Sequence, residues 1–262
     1  MSGAAFVTGA GRGIGAAIAA RLAADGRPVA IAARNVDELA VVAETTGALP
    51  IPLDVTDADA VASAVARVER ELGPVELLVS NAGLAGTGGP TWQKEPSAWW
   101  RVVEVNLLGT FLCARAVLPG MCERGAGRIV NVSSNSAFFP LGGDDWGGRI
   151  DSAYQASKAA VIRLTEALAA EARPYGVSAF VISPGMVKTA MTEPIFDDVW
   201  DDPELWTPAE RTAALVSFLG SGALDRLSGR YIHAARDDWE AMPGRIDGLL
   251  AEDLNTLRLR TS

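Results

Sequence analysis

Near its N-terminus the chain passes from an apolar run through a glycine-rich segment into an alanine-rich stretch, and this order limits its possible folds. The run Ala4–Val7 is typical of a buried strand, Thr8–Gly15 holds the glycines, and Ala16–Ala24 has helical composition. A glycine-rich turn between a strand and a helix can approach a pyrophosphate closely, and the helix N-terminus attracts the phosphate charge. The pattern predicts a dinucleotide-binding turn; an ordinary strand–helix turn is the alternative.

Apolar runs recur along the whole chain, with helical patterns between most of them. They begin near residues 4, 28, 49, 75, 127, 177 and 230. Strands that alternate with helices favour parallel βαβ units. We expect a single α/β domain over residues 1–262: a Rossmann-like, doubly wound parallel sheet of about seven strands, with helices on both faces. Ligands should lie outside the carboxyl ends of its strands.

Tyr154 and Lys158 lie four residues apart in a predicted helix, so their side chains share one face. A phenol has a pKa of about 10, and a neighbouring ammonium group lowers it. The pair could therefore donate or accept a proton near neutral pH. Alone, such a pair would more often be a surface contact, and its meaning here comes from the motifs around it.

Taken in order, the motifs resemble those of the short-chain dehydrogenase/reductase family over roughly residues 4–233. They are Thr8–Gly15, Asn81–Gly83, Asn106 in a middle helix, Ser134 after an apolar run, Tyr154 with Lys158, and Pro184–Gly185. The resemblance implies an oxidoreductase that transfers a hydride between a nicotinamide and a carbonyl or alcohol carbon.

The resemblance also implies a catalytic set of Ser134, Tyr154, Lys158 and Asn106. In reduction Tyr154 is expected to donate a proton to the substrate oxygen, which Ser134 hydrogen-bonds. Lys158 is expected to lower the pKa of Tyr154 and to hold the nicotinamide ribose. Asn106 is expected to hold a water behind Lys158, or else to satisfy backbone groups inside its helix. Ser136 is the alternative to Ser134, because the stretch between Ser134 and Tyr154 is longer than is usual in the family.

The cofactor preference depends on the end of the second predicted strand. An NAD-binding turn carries a carboxylate there, whereas this chain has Ala33 and then Arg34, with Arg12 in the glycine-rich segment. By resemblance the two arginines bind a 2′-phosphate, which suits guanidinium groups. We expect NADP(H), with NAD(H) possible if both arginines are only solvated.

By resemblance, Asp54 contacts the adenine ring and Thr189 the nicotinamide carboxamide. The predicted cofactor-binding set is Thr8, Gly9, Gly11, Arg12, Gly13, Ile14, Gly15, Ala33, Arg34, Asp54, Val55, Asn81, Ala82, Gly83, Tyr154, Lys158, Pro184, Gly185, Val187 and Thr189. No metal site is predicted.

Three segments are expected to extend the common fold: an insertion at 140–150, a substrate lid at about 189–207, and a C-terminal extension at about 236–262. Aromatic residues in or just before the first two favour a bulky, cyclic or apolar substrate; packing of the lid or of a subunit interface is the alternative. They are Phe138, Phe139, Trp146, Phe196, Trp200 and Trp206. Residues 245–258 have the apolar spacing of an amphipathic helix, which could cap this subunit or a neighbour. His233 is expected to end a strand.

The composition limits the partners and the setting. A formal net charge of −9 disfavours nucleic acid. The first strand starts too early for a signal peptide, and no run approaches the roughly 18 apolar residues of a membrane helix. Two cysteines, expected to be reduced, fit a cytoplasmic enzyme with a small-molecule substrate. By resemblance, helices within 97–123 and 152–173 pair subunits into a homodimer or homotetramer; packing of their apolar positions against their own sheet is the alternative.

Three other functions stay open at this point. An NAD-dependent alcohol dehydrogenase would not need Arg12 and Arg34. A lyase or epimerase that uses bound nicotinamide transiently would leave no net change in the cofactor. A non-catalytic dinucleotide sensor would not need serine, tyrosine and lysine together.

Overall fold

The computed structural model describes residues 3–138 and 149–257, and within them seven parallel strands form one sheet. The strands are β1 (Ala4–Thr8), β2 (Val29–Ala33), β3 (Leu49–Pro52), β4 (Val75–Ser80), β5 (Gly127–Val132), β6 (Val177–Ser183) and β7 (Tyr231–His233). They lie in the order β3-β2-β1-β4-β5-β6-β7, which confirms the predicted sheet. His233 ends β7, as expected.

Eight α-helices cover the two faces of this sheet in the described residues. They are α1 (Gly13–Ala24), α2 (Val36–Thr46), α3 (Ala58–Leu72), α4 (Pro96–Val103), α5 (Gly109–Arg124), α6 (Ser152–Ala172), α7 (Ala209–Gly220) and α8 (Ile246–Ala251). Successive strand residues serve opposite cores: Val7 packs among residues of α1 and α7, and Phe6 among residues of α3 and α5. Two separate apolar cores result, one on each face.

The strand order reverses between β1 and β4, and side chains join the two strands where they end. Thr8 Oγ1 accepts hydrogen bonds from the backbone N–H groups of Asn81 (3.1 Å) and Ala82 (3.2 Å). Asn81 Nδ2 in turn donates to the carbonyl oxygens of Thr8 and Gly9, each at 3.0 Å. The glycine-rich turn after β1 is thereby fixed at the point where ligands bind in doubly wound sheets.

The stretch Pro96–Arg124 is a continuous helical segment with a π-helical turn at Glu104–Leu108. Its mean hydropathy reaches 1.5 over 18 residues, which suffices for a membrane span by length and composition. The expectation concerned an unbroken apolar run, whereas this average includes polar residues within the window. Half of that window is buried, and α5 packs against β4 and α3. Core packing therefore accounts for its apolar character.

The predicted C-terminal helix is shorter than expected, since α8 ends at Ala251. Asp253 and Asn255 follow with positive φ angles of 48° and 60°, which a helix does not contain. Ile246 and Leu249 are buried in the core of their own chain, so α8 caps its own subunit. Residue 258 lies outside the described residues, as do Phe139, Trp146 and most of the predicted insertion at 140–150.

Candidate active site

The turn between β1 and α1 leaves no room for a side chain at two of its glycines, Gly9 and Gly15. Gly9 has φ +64°, and a Cβ there would lie 2.7 Å from Ala82 Cα. Gly15 is buried, and a Cβ on it would lie 2.8 Å from Ala10 Cα. The residue before α1, Arg12, makes no capping hydrogen bond with its side chain. Since the first amides of a helix have no partner within it, the start of α1 can receive a phosphate.

A cleft of about 690 Å³ runs across the carboxyl ends of the strands from β3 to β6. Most of the predicted cofactor-binding residues line it: Gly9, Gly11, Arg12, Gly13, Ile14, Ala33, Arg34, Asp54, Val55, Asn81, Ala82, Gly83, Tyr154, Lys158, Pro184 and Thr189. Thr8, Gly15, Gly185 and Val187 do not line it. The first two lie behind the turn, and a Cβ on Gly185 would meet the Thr207 side chain. The volume and the glycine turn fit a dinucleotide.

Glu38 lies at the β2 side of the cleft, and the sequence motifs did not predict it. This residue follows Arg34 by about one helical turn, and its Oε1 lies 3.2 Å from Arg12 Nη1. The carboxylate lines the cleft together with both arginines. Asn35 caps α2 by accepting from the Glu38 N–H (3.4 Å), so the first turn of α2 directs Glu38 here. The sequence signal that could have indicated Glu38 is Asn35, a typical N-cap residue, because it places Glu38 in the first turn of the helix.

Asp54, after β3, is held by neighbours on two sides. Its Oδ1 accepts from Thr56 Oγ1 (2.7 Å), and its Oδ2 lies 2.8 Å from Arg101 Nη2. Burial acts to raise the pKa of Asp54, but the hydrogen bonds from Thr56 and Arg101 together hold it below its usual range. The carboxylate is thus fixed and ionised at the wall of the cleft.

Ser134 and Tyr154 meet beyond the end of β5. Burial raises the pKa of Tyr154, and hydrogen bonding by Ser134 acts in the opposite direction. Ser136 lies behind, 3% exposed, and its hydroxyl donates to Ser134 Oγ at 3.0 Å. Of the two candidate serines, Ser134 is the one that affects the pKa of Tyr154.

Lys158 lies beside Tyr154 and is itself buried. Its Nζ donates to the Val132 carbonyl oxygen at 2.8 Å and lies 5.6 Å from the centroid of the Tyr154 ring. Burial lowers the pKa of Lys158 to about 8. The expected lowering of the tyrosine pKa by this lysine is not what the structure shows, because desolvation of the phenol dominates.

Asn106 lies in the π-helical turn, fully buried, and its side-chain amide is fully engaged. Its Oδ1 accepts from the Leu84 N–H (2.8 Å), and its Nδ2 donates to the Leu84 carbonyl (3.0 Å) and to Ser157 Oγ (2.9 Å). Asn106 therefore joins the loop after β4 to helix α6. Its predicted role in holding a water stays a prediction.

The segment after β6 lines the cleft with its first residues, Lys188 to Met191, and its aromatic rings pack on one another. The Trp200 and Trp206 ring centroids lie 4.8 Å apart, and Phe196 lies 6.3 Å from Trp206. Lys188, which lines the cleft, has its Nζ 5.1 Å from the Trp200 centroid. These three rings thus pack on one another within the segment, and its role as a substrate lid stays a prediction. Phe138 instead packs edge-on against Tyr231, with centroids 5.0 Å apart.

Comparison with known proteins agrees with this geometry. The family described as short chain dehydrogenase matches residues 3–200. The chain is 36% identical over 266 residues to the short chain dehydrogenase mpl6 of Monascus purpureus, covering 96% of this chain and 87% of that protein. It is also 36% identical to a 2-dehydro-3-deoxy-L-rhamnonate dehydrogenase (NAD(+)) of a Sphingomonas species, covering 83% and 87%.

A solved structure is similar over nearly its full length. A variant of actinorhodin polyketide ketoreductase, determined with NADPH, has a TM-score of 0.80 at 30% identity, covering 88% of this chain and 95% of that one. The family match spans most of the chain, and it includes the glycine turn, Ser134, Tyr154 and Lys158. The chain therefore belongs to the short-chain dehydrogenase/reductase family, and it is a nicotinamide-dependent oxidoreductase that acts on CH–OH groups.

Proposed function

We propose that the protein is an NADPH-dependent carbonyl reductase, with the reverse alcohol oxidation also accessible. The observation that carries this proposal is one cleft that holds two kinds of group. Arg12 and Arg34 line it near β2, and Tyr154 and Lys158 line it near β5, where Ser134 acts on the pKa of the tyrosine. A dinucleotide phosphate and a reacting carbonyl would thus be bound along one continuous surface.

The chemistry follows from the protonation states of these side chains. A bound nicotinamide supplies or accepts the hydride. Tyr154, with its raised pKa, is protonated at neutral pH and so can donate its proton to the carbonyl oxygen as that oxygen gains charge. Ser134 hydrogen-bonds the same oxygen and stabilises the developing charge. Lys158, held at the Val132 carbonyl, presents a positive charge below pH 8.

We propose a bulky, apolar or cyclic ketone as the substrate. Apolar side chains of Leu84, Val105 and Met191 line the cleft, and Met191 is 36% exposed. Apolar walls with a few convergent polar groups are typical of sites for such ligands. The similarity to a polyketide ketoreductase supports this substrate class.

Direct binding of the two cofactors tests the proposal. NADPH and NADH are titrated against the wild type and Arg34→Ala by nicotinamide fluorescence. The clamp predicts that Arg34→Ala weakens NADPH binding by about 1–3 kcal/mol, the scale of a charged hydrogen bond, and leaves NADH unchanged. Equal affinities for both cofactors and an indifferent Arg34 would contradict the clamp.

The second candidate function is an NAD-dependent alcohol dehydrogenase, and the position of Glu38 supports it. Its carboxylate occupies Arg12 and would repel a 2′-phosphate, whereas it could bind a ribose hydroxyl. Glu38→Gln separates the two: under the NADPH proposal it tightens NADPH binding by freeing Arg12. Under the alternative it weakens NADH binding. A ketone converted without loss of NADPH absorbance would favour the lyase or epimerase instead.

A further inference from the structure

Lys94 and Asp151 form an ion pair that lines a second pocket, of about 350 Å³, beside the loop after β4. Lys94 Nζ lies 2.8 Å from Asp151 Oδ2, and the two side chains are only 10% and 3% exposed. Neither residue lines the cleft described above. Removing charges from water to this extent costs free energy, which pairing offsets only in part. We therefore expect this ion pair to have a structural role.

Asp151 begins the helix that carries the catalytic tyrosine. Its Oδ1 accepts the Ala153 N–H at 2.7 Å, which caps α6 three residues before Tyr154. One carboxylate oxygen therefore fixes the first turn of the helix, and the other is left for Lys94. Whatever moves the carboxylate also moves the start of α6.

Lys94 ties this carboxylate to the loop that follows β4. Its Nζ also donates to the Gly88 carbonyl oxygen at 2.6 Å. Gly86 has φ +75°, and a Cβ on it would lie 2.7 Å from Asp151 Cγ, so the loop packs directly on the carboxylate. Trp99 Nε1 adds a hydrogen bond to Ser152 Oγ at 3.1 Å.

The same loop holds α6 on the far side of Tyr154 as well. Leu84 bonds to Asn106, whose Nδ2 donates to Ser157 Oγ, and Ser157 Oγ donates to the Tyr154 carbonyl at 2.8 Å. The turn that carries Tyr154 is thus fastened before and after the tyrosine to one segment. We propose that Lys94 is a positioning residue, which acts through Asp151 to set Tyr154 against Ser134. This inference rests on the proposed role of Tyr154.

Three variants separate the ion pair from the cap. Lys94→Met keeps the length of the side chain but leaves the carboxylate unpaired. Asp151→Asn keeps an oxygen that can cap α6, since asparagine is a good N-cap, and leaves the ammonium unpaired. The double variant removes both charges. Arg67→Met with Glu71→Gln is the matched control, because that pair lies at 2.9 Å on the exposed face of α3.

Each variant is measured for NADPH affinity, for turnover of 1-tetralone with NADPH, and for hydrogen exchange of the peptide covering residues 152–158. The single variants should exchange faster in this peptide and lose about 10- to 100-fold in kcat, the scale of a misplaced catalytic group, with NADPH affinity little changed. The double variant should recover part of both losses, and the control should match the wild type.

Unchanged exchange in Lys94→Met, or a double variant whose defects are the sum of the single ones, would overturn the inference. Hydrogen exchange of residues 152–158 tests this inference whether or not the enzyme turns over 1-tetralone.

The Tyr154→Phe variant distinguishes failure of this inference from failure of the proposed function. If it is as active as the wild type, the proposed function fails. If only Tyr154→Phe is inactive and the Lys94 and Asp151 variants behave as the control, the inference fails alone.

Discussion

Burial moves the pKa values of Tyr154 and Lys158 in opposite directions, because it disfavours the charged form of each. The tyrosine pKa rises, and the lysine pKa falls to about 8. Both side chains therefore favour their neutral forms more than they would in water. For a reductase this suits the tyrosine, which must hold a proton in order to donate it.

Replacing Tyr154 by phenylalanine should abolish most turnover and spare cofactor binding. Loss of a general acid typically costs about 10²–10⁴-fold in rate, and the ring still fills its place. Steady-state kcat and NADPH titration measure the two effects separately.

In the wild type, ketone reduction should stay active through neutral pH and fall only at alkaline pH, whereas alcohol oxidation should rise with pH. A reduction rate that falls between pH 6 and 8 would argue against Tyr154 as the acid.

Replacing Lys158 by methionine should stabilise the protein at pH 7. The folded pKa of about 8 lies below the ordinary 10.5, so folding disfavours the charged lysine. This cost is fully present below pH 8 and disappears as the pH rises above 10.5. This shift in the pKa of Lys158 corresponds to about 3 kcal/mol of unfolding free energy at pH 7. Chemical denaturation at pH 7 and pH 10 should show a gain in the free energy of unfolding that shrinks at the higher pH; a gain independent of pH would contradict this.

A functional residue could be predicted from the sequence when the pattern that marks it lies within a few neighbouring positions. The glycine turn, Arg34, Tyr154 and Lys158 belong to short motifs whose spacing is tied to one turn or one helix. Glu38 and Lys94 escaped because their partners, Arg12 and Asp151, are brought to them by the packing of separate elements. The sign of the tyrosine shift was wrong because sequence shows a neighbouring charge more readily than it shows burial.

Among the elements, the lid and the end of the predicted insertion are joined by charge. Arg149 Nη2 donates to Asp198 Oδ2 at 2.8 Å, and this guanidinium holds the pKa of Asp198 below its usual range. Arg149 lies five positions before Tyr154, while Asp198 lies within the segment after Thr189. An ion pair therefore joins the residues just before α6 to the segment after β6.

Breaking this contact should weaken substrate binding more than catalysis. In Arg149→Gln the KM for the ketone should rise by less than about tenfold, since exposed ion pairs contribute little, and kcat should hardly change. The wild-type KM should also rise with salt, whereas that of the variant should not. Arg226→Gln is the control, because its partner Asp247 lies on α8. A kcat that falls with KM unchanged would show that the contact serves another step.

The boundary of α8 could not be read from apolar spacing alone. Leu254 and Leu257 continue the helical period of the earlier leucines, yet the helix ends before them. Asn255 takes a left-handed conformation and bonds instead to the backbone of Tyr231. A tertiary bond to β7 thus overrides a local pattern, which periodicity does not reveal.

At the scale of the whole molecule, α5 presents apolar side chains to solvent. Leu108, at the π-helical turn, is 38% exposed, and Phe111 is 42% exposed. These residues lie on the segment that the family resemblance assigns to subunit pairing. We propose that this face joins copies of the chain.

Phe111→Glu should accordingly lower the sedimentation coefficient of the protein, since a charge would be buried in the subunit contact. Val41→Glu is the control: Val41 is 64% exposed on α2, which is outside the proposed contact. Sedimentation velocity at micromolar concentration measures the change. An assembly that is unaffected by Phe111→Glu would place the contact elsewhere.

The overall architecture was predictable because each βαβ unit carries its own apolar run and helix, and parallel strands permit few arrangements. The number of strands and their starting points followed from these runs. The packing between segments far apart in sequence, such as the loop after β4 against α6, follows from the assembled fold and has no local pattern.

The two outer strands of the sheet are closed by different means. At the β3 edge, the Leu53 N–H points inward to the Ala33 carbonyl (2.9 Å), so by the alternation of a strand Pro50 and Pro52 take the outward positions, where neither has an N–H to offer. At the β7 edge, Asn255 both accepts the Tyr231 N–H and donates to the Tyr231 carbonyl, each at 2.8 Å. A foreign strand would find few free partners on either side, so the sheet resists the edge-to-edge growth from which fibrils and amorphous aggregates start.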